Sequence, residues 1–269
     1  MSSSRSEKRA RKKERRHARQ AEVQAYFRRR RRQRLGIGLG SLAAVAAIVL
    51  AVLYVVQSPS APEGTPAPSG ADDLITVPVK QNVACGAEVP ESAGSKKNQY
   101  GEAEDQKLDE DNTYTLRMET SCGDIEITLD VERAPVTSNS VAFLVREKFY
   151  DGTFFHRLAP DFVIQGGDPA GEGSGGSGYQ VQEPPPEDLT YDEGVVAMAK
   201  GGTDPPGTSG SQFFIVSGPS GQNLTPEYAL LGKVTKGMDV VAKIMETATA
   251  DMQPPTAYTY VERATIVEE

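Results

Sequence analysis

Residues 35–56, LGIGLGSLAAVAAIVLAVLYVV, contain no charged side chain across 22 consecutive positions. As a helix this run spans about 33 Å, against a bilayer hydrocarbon core of about 30 Å. Gly36, Gly38 and Gly40 are tolerated in membrane helices, and Tyr54 sits where an interfacial aromatic is favoured. The flanks differ. Residues 1–34 hold 15 of the 29 lysines and arginines and only three of the 37 acidic residues, a net charge of +12. The rest of the chain has 14 bases and 34 acids, a net of −20. By the positive-inside rule the arginine-rich end stays in the cytoplasm and the acidic remainder lies outside. The reading is a cell-membrane protein with one transmembrane helix over 35–56. Topology and contact with anionic lipid account for the basic run, so no nucleic acid is expected as a partner. A cleaved signal peptide is the competing reading. It calls for a shorter apolar region of about 7–15 residues and a shorter basic flank, and export follows in either case.

Residues 57–78 open on QSPSAPEGTPAPSG and read as a Pro/Ser/Gly linker. Residues 79–112 are polar and acidic, and are treated as an extension of the domain that follows. The chain has two cysteines, Cys85 and Cys122, with no zinc or thioredoxin spacing. In an oxidising compartment they are candidates for one disulfide, with two free thiols as the alternative. Two histidines, His17 and His156, lie far apart, which excludes a histidine-rich metal site; neither a metal nor a cofactor is expected.

From residue 113 the pattern changes to period 2. Tyr114, Leu116 and Met118 alternate with polar neighbours, as do Ile125, Ile127 and Leu129, and the turn between them holds Ser121-Cys122-Gly123. This predicts a hairpin with one buried face. Pro135 suits the first turn of a helix whose apolar face is Val141, Leu144, Val145 and Phe149. Short strands are predicted near 194–199, 212–217, 228–232 and 258–267, with a second helix through Met238, Val241, Ile244 and Met245. Residues 113–269 are therefore a mainly β domain, and many short strands with two helices suit a closed antiparallel barrel.

Inside this domain, residues 154–168, FFHRLAPDFVIQGGD, read as two strands around an Ala-Pro-Asp turn. Arg157, Phe162 and Gln165 on such a scaffold line a pocket that is apolar on one side and hydrogen-bonding on the other. Competing motifs fail on context. Residues 171–176, GEGSGG, match a dinucleotide fingerprint, but Pro184-Pro185-Pro186 follow where a helix is required. Residues 207–211, GTSGS, break a hydrolase nucleophile elbow at its last position. His156 and Arg157 point to opposite faces of a strand, so with Arg157 in the pocket His156 is a packed, hydrogen-bonded structural residue.

The run 154–168 resembles one signature of the cyclophilin-type peptidyl-prolyl isomerases. Residues 198–202, MAKGG, with 210–215, GSQFFI, resemble the other. The resemblance implies an eight-stranded barrel with a helix at each end, binding proline-containing peptides. It implies Arg157 as the donor to the twisted amide nitrogen and Gln165 as its positioning partner. It also implies a proline socket of Phe162, Val163, Phe214 and Leu224. Ala199 and Gln212 map to the pocket floor and wall, and the Lys200 main chain to the grip on the residue before proline. Three positions depart from the family pattern: Lys200 stands for asparagine, Asn223 for a tryptophan and Tyr228 for a histidine. Lys200 implies an altered preference for substrate charge. Asn223 implies weak cyclosporin binding. The layout is similar to exported, membrane-anchored actinobacterial members, with unfolded exported proteins as clients. A non-catalytic peptide-binding or holdase module using the same groove is the alternative function.

Overall fold

The computed structural model of the chain describes residues 74–250 and 254–269. The basic segment, the run 35–56 expected to span the membrane and most of the residues read as linker lie outside these residues. Among the described residues no helix is long and apolar enough to cross a membrane.

In chain order the elements are β1 (Ile75–Thr76), β2 (Lys96–Lys97), β3 (Tyr114–Thr120), β4 (Gly123–Leu129), α1 (Pro135–Arg146), β5 (Arg157–Ala159), β6 (Val163–Gly166), β7 (Val181–Gln182), β8 (Val195–Met198), β9 (Thr208–Ser209), β10 (Phe213–Val216), β11 (Leu230–Lys236), α2 (Met238–Met245) and β12 (Val261–Glu268). The β3–β4 hairpin follows its alternation, burying Tyr114, Leu116, Met118, Ile125, Ile127 and Leu129. The turn between them needs a left-handed residue, and Gly123 supplies it at φ +128°. Pro135 opens α1, where its missing N–H costs nothing. The apolar side chains Val141, Phe143, Leu144 and Val145 of α1 are buried.

Eight strands form one antiparallel sheet in the order β12-β3-β4-β11-β8-β10-β6-β5. The closed barrel expected from the strand pattern is not reached: the sheet is curled, and its end strands share no continuous ladder. Only the segment just before β5 meets the start of β12, through the bridge Phe154↔Tyr260 and the bonds Gly152 N–H to Val261 O (2.7 Å) and Phe155 N–H to Thr259 O (3.0 Å). Further along β12 the free edge is covered by side chains. Asp151 Oδ1 accepts the Ala264 amide at 2.9 Å, and Ser92 Oγ donates to the Glu262 carbonyl at 3.1 Å. An edge capped in this way needs no pairing strand.

The N-terminal extension is folded onto this sheet. β1 pairs with β2, and Val77 is fully buried with Phe154 and Tyr260. Residues 75–77, read as the end of the linker, thus belong to the folded extension, because the apolar residues Ile75 and Val77 find a partner strand and a core. Cys85, in a short 3-10 turn (Ala84–Gly86), is disulfide-bonded to Cys122 in the β3–β4 turn, with Cα atoms 5.3 Å apart.

The disulfide closes a loop with a sequence separation of 37, and the chain-entropy account assigns such a link about 3–4 kcal/mol. Reduction, or the Cys122→Ser substitution, is expected to lower the melting temperature by roughly 6–12 °C. Calorimetry with and without reductant checks this; an unchanged transition would show that the extension is held without the bond.

Candidate functional site

The central strands are buried on both faces, and parity decides which side chain serves which face. On β10, Phe213 and Ile215 enter the main core, whereas Phe214 and Val216 face a second cluster. On β8 the split is Val196 and Met198 against Val195 and Ala197. On β6, Ile164 goes to the main core and Val163 to the second cluster. That second cluster collects Val163, Phe214, Phe162, Ala199, Leu224 and Tyr228, all of them residues singled out from the sequence.

Register places the polar residues beside it. Arg157 pairs with Gln165 across β5–β6, Gln165 with Phe214 across β6–β10, and Phe214 with Ala197 across β10–β8. Side chains in one such row share a face. Arg157 Nη1 donates to Gln165 Oε1 at 3.3 Å, and Gln165 Nε2 donates to Gln212 Oε1 at 3.0 Å. Gln212 Nε2 donates in turn to the Gly175 carbonyl at 2.8 Å, and its own carbonyl accepts the Ala199 amide at 2.8 Å. A fixed guanidinium therefore stands at one end of an apolar wall, with its direction held by a chain of amides.

Three rings shape the other end. Phe214 and Tyr228 meet edge to face at 5.3 Å, and Tyr191 lies 6.1 Å from Tyr228 and 6.3 Å from Phe214. Tyr191 was missed by sequence reasoning, because it closes a Gly/Pro-rich stretch read as loop; the alternation of Leu189 and Tyr191 about Thr190 was the only signal. Its hydroxyl accepts the Tyr228 amide (2.9 Å) and donates to the Tyr228 carbonyl (2.7 Å), fixing that residue from behind. Burial pushes the Tyr191 hydroxyl up to about 12. It stays a neutral donor.

Lys200 behaves differently from the expectation that its charge faces substrate. Its side chain is only 4% exposed, with Nζ 3.2 Å from Glu227 Oε2, 3.2 Å from the Asp204 carbonyl and 5.6 Å from the Tyr228 ring centroid. The ammonium is neutralised by Glu227 and ties the 200–204 turn to the tyrosine. Asn223 ends the 3-10 turn Pro219–Asn223 and is exposed; Leu224 follows it and is half-buried.

Two further positions complete the surroundings. Asp168, read only as the end of a strand signature, is fully buried and accepts the amides of Ala170, Glu172, Gly173 and Gly175. His156 is packed as expected but not hydrogen-bonded: neither ring nitrogen has a partner among the described residues. Those residues contain no cluster of three or more His, Cys, Asp or Glu side chains that could hold a metal ion.

Comparison with known proteins bears on this arrangement. The family model for cyclophilin type peptidyl-prolyl cis-trans isomerase/CLD matches residues 115–266. A peptidyl-prolyl cis-trans isomerase-like 1 of Gibberella zeae is 34% identical over 161 residues, covering 58% of this chain and 97% of that protein. The Homo sapiens protein of the same name is 40% identical over 140 residues, covering 50% of this chain and 82% of its own. A Cryptosporidium parvum cyclophilin type isomerase, crystallised in the presence of the dipeptide Ala-Pro, superposes with a TM-score of 0.53 at 29% identity. That match covers 58% of this chain and 99% of the other.

Burial holds the His156 imidazole below its ordinary range; Asp168 pulls it up and Arg157 adds to the lowering. The unfolded chain takes up a proton near pH ~6.5, whereas the folded one resists it. The contribution of His156 to stability is thus complete above that pH and is lost as the pH falls toward the folded value. Between pH 7.5 and 5 the melting temperature of the wild type should fall more steeply than that of His156→Leu. Equal slopes in thermal melts would sink the assignment.

Proposed function

The chain belongs to the cyclophilin-type peptidyl-prolyl cis-trans isomerase family, and we propose that its isomerase site works by arginine-assisted twisting of Xaa-Pro bonds in exported proteins. As an isomerase it must lower the barrier of amide conjugation, about 18–20 kcal/mol for a peptide bond, without breaking a bond. Only contacts stronger in the twisted state than in either planar state contribute to the rate. As the amide twists, its nitrogen turns pyramidal and gains a lone pair. Arg157 donates a hydrogen bond there, and Gln165 holds the guanidinium in place. Phe162, Val163, Phe214 and Leu224 hold the proline ring while the acyl side rotates, with Ala199 and Gln212 as floor and wall. Tyr228 closes the far rim, and the Lys200 main chain grips the preceding residue. The observation that carries this reading is the row Arg157–Gln165–Phe214, a hydrogen-bonded cation at the edge of an apolar wall. The Ala-Pro dipeptide used with the Cryptosporidium parvum protein supports the ligand class.

The setting follows from the sequence outside the domain. The charge-free run 35–56 behind 15 lysines and arginines anchors the chain with its N-terminus in the cytoplasm and the isomerase outside. The Cys85–Cys122 bond supports an oxidising, extracytoplasmic location. Clients are then unfolded exported proteins, as in the membrane-anchored actinobacterial layout that the chain resembles. The exposed Asn223 supports weak cyclosporin binding.

In a peptide isomerisation assay Arg157→Ala is expected to lower kcat/KM by about 10²- to 10³-fold with the fold retained. A wild-type rate would overturn the catalytic role, and client protection that survives in the inactive variant would favour a holdase. Deleting residues 35–56 should move the protein from the membrane fraction to the soluble fraction; retention in the membrane would remove the anchor.

A further inference from the structure

The Gly-rich loop over residues 169–178 is held from three sides. From beneath, the buried Asp168 carboxylate gathers its amides, with Gly173 N–H at 2.6 Å and Gly175 N–H at 3.1 Å. From the pocket, Gln212 Nε2 donates to the Gly175 carbonyl at 2.8 Å. From outside, the hold comes from the N-terminal extension. Gln99 Nε2 donates to the Gly176 carbonyl at 2.9 Å, and the Tyr100 amide donates to the Ser177 carbonyl at 2.8 Å. The two backbones approach so closely that a Cβ on Gly178 (φ +91°) would stand 2.8 Å from the Tyr100 carbonyl oxygen.

This part of the extension is itself well anchored. The Tyr100 ring meets Phe143 of α1 edge to face at 5.0 Å. Asn139 of α1 accepts the Gln106 amide at 2.7 Å and donates to the Glu104 carbonyl at 3.0 Å. The region matched by the family model begins at residue 115, so Gln99 and Tyr100 lie outside it.

We infer that Gln99 and Tyr100 are positioning residues for the isomerisation, acting on Arg157 through the loop and two glutamines. The inference rests on the catalytic reading of Arg157. Its physical core is polarity. A guanidinium can only donate and a backbone carbonyl can only accept. Between Arg157 and the Gly175 carbonyl stand two amides, each of which uses its oxygen toward the arginine and its NH2 toward the carbonyl. Only this orientation satisfies both ends. If the Gly175 carbonyl moves away, Gln212 loses the group that sets its direction. A flipped Gln212 turns its NH2 against that of Gln165, and Gln165 then no longer holds its oxygen on Arg157. By pinning residues 176 and 177, the extension keeps the Gly175 carbonyl in place.

The test uses the full-length protein and a proline-containing peptide. Gln99→Ala and Gln99→Glu, the latter setting a carboxylate against the Gly176 carbonyl, should each lower kcat by about three- to tenfold with KM within about twofold. In a Gln212→Ala background Gln99→Ala should cause no further loss, because the relay is already cut. Wild-type kcat in both Gln99 variants, with Arg157→Ala impaired, overturns the relay and leaves the catalytic reading standing. Losses that multiply with Gln212→Ala, or that appear only where the melting temperature falls to the assay temperature, overturn it as well. A wild-type rate in Arg157→Ala overturns the catalytic reading and the relay with it.

Discussion

The site depends on central strands that bury both of their faces. β6, β8 and β10 send alternate apolar side chains to two separate clusters, which fixes these strands from both faces. Phe213 packs against Tyr150 and Phe155 on one side, and Phe214, its neighbour, against Tyr191 and Tyr228 on the other. A one-residue slip would exchange the two sets and put the pocket wall into the core. The precision of the pocket therefore comes from the same contacts that hold the sheet. Phe214 and Val163, as walls of the proposed pocket, also carry part of the sheet's packing.

The polar half of the site is built by a different principle. Arg157 Nη1 donates to a neutral glutamine oxygen, a weaker partner than a carboxylate. On the proposed mechanism a carboxylate here would also neutralise the charge offered to the twisted amide, so a directional neutral partner suits that chemistry better. Lys200 shows the opposite treatment: its ammonium meets Glu227 and is withdrawn from the groove. The two cations near the pocket thus face different groups, Arg157 a glutamine oxygen and Lys200 a carboxylate.

Where the sequence was legible, a period or a backbone requirement made it so. The alternation at 114–118 and 125–129, Pro135 at the first turn of α1 and the turn between β5 and β6 depend on local geometry, and all are found in the fold. Phe162, Val163, Ala199, Phe214, Leu224 and Tyr228, singled out through the family resemblance, come together in one cluster although only Val163 and Phe214 lie on strands. What escaped depends on long-range pairing. Tyr191 gains its role only when residue 228 folds back beside it, a separation of 37 residues. The two-residue strands β1, β2, β7 and β9 have no period to read. Sheet closure was misjudged because side chains of Asp151 and Ser92, with no strand pattern of their own, cover the free edge of β12. The Lys200 side chain pointed elsewhere because Glu227, invisible as a partner in the linear chain, reaches it.

The extension brings these strands of argument together. Read alone, residues 79–112 are polar, acidic and without period, an extension of the domain with no strands of its own to predict. Folded, the extension buries Val77 and Ala84, pairs β1 with β2 and is tied by a disulfide to the β3–β4 turn. It also supplies hydrogen bonds to the Gly176 and Ser177 carbonyls of the Gly-rich loop, from the Gln99 side-chain amide and the Tyr100 N–H. A polar segment can do this because a glycine-rich loop presents mainly backbone groups, and what these need is hydrogen-bonding partners rather than apolar cover.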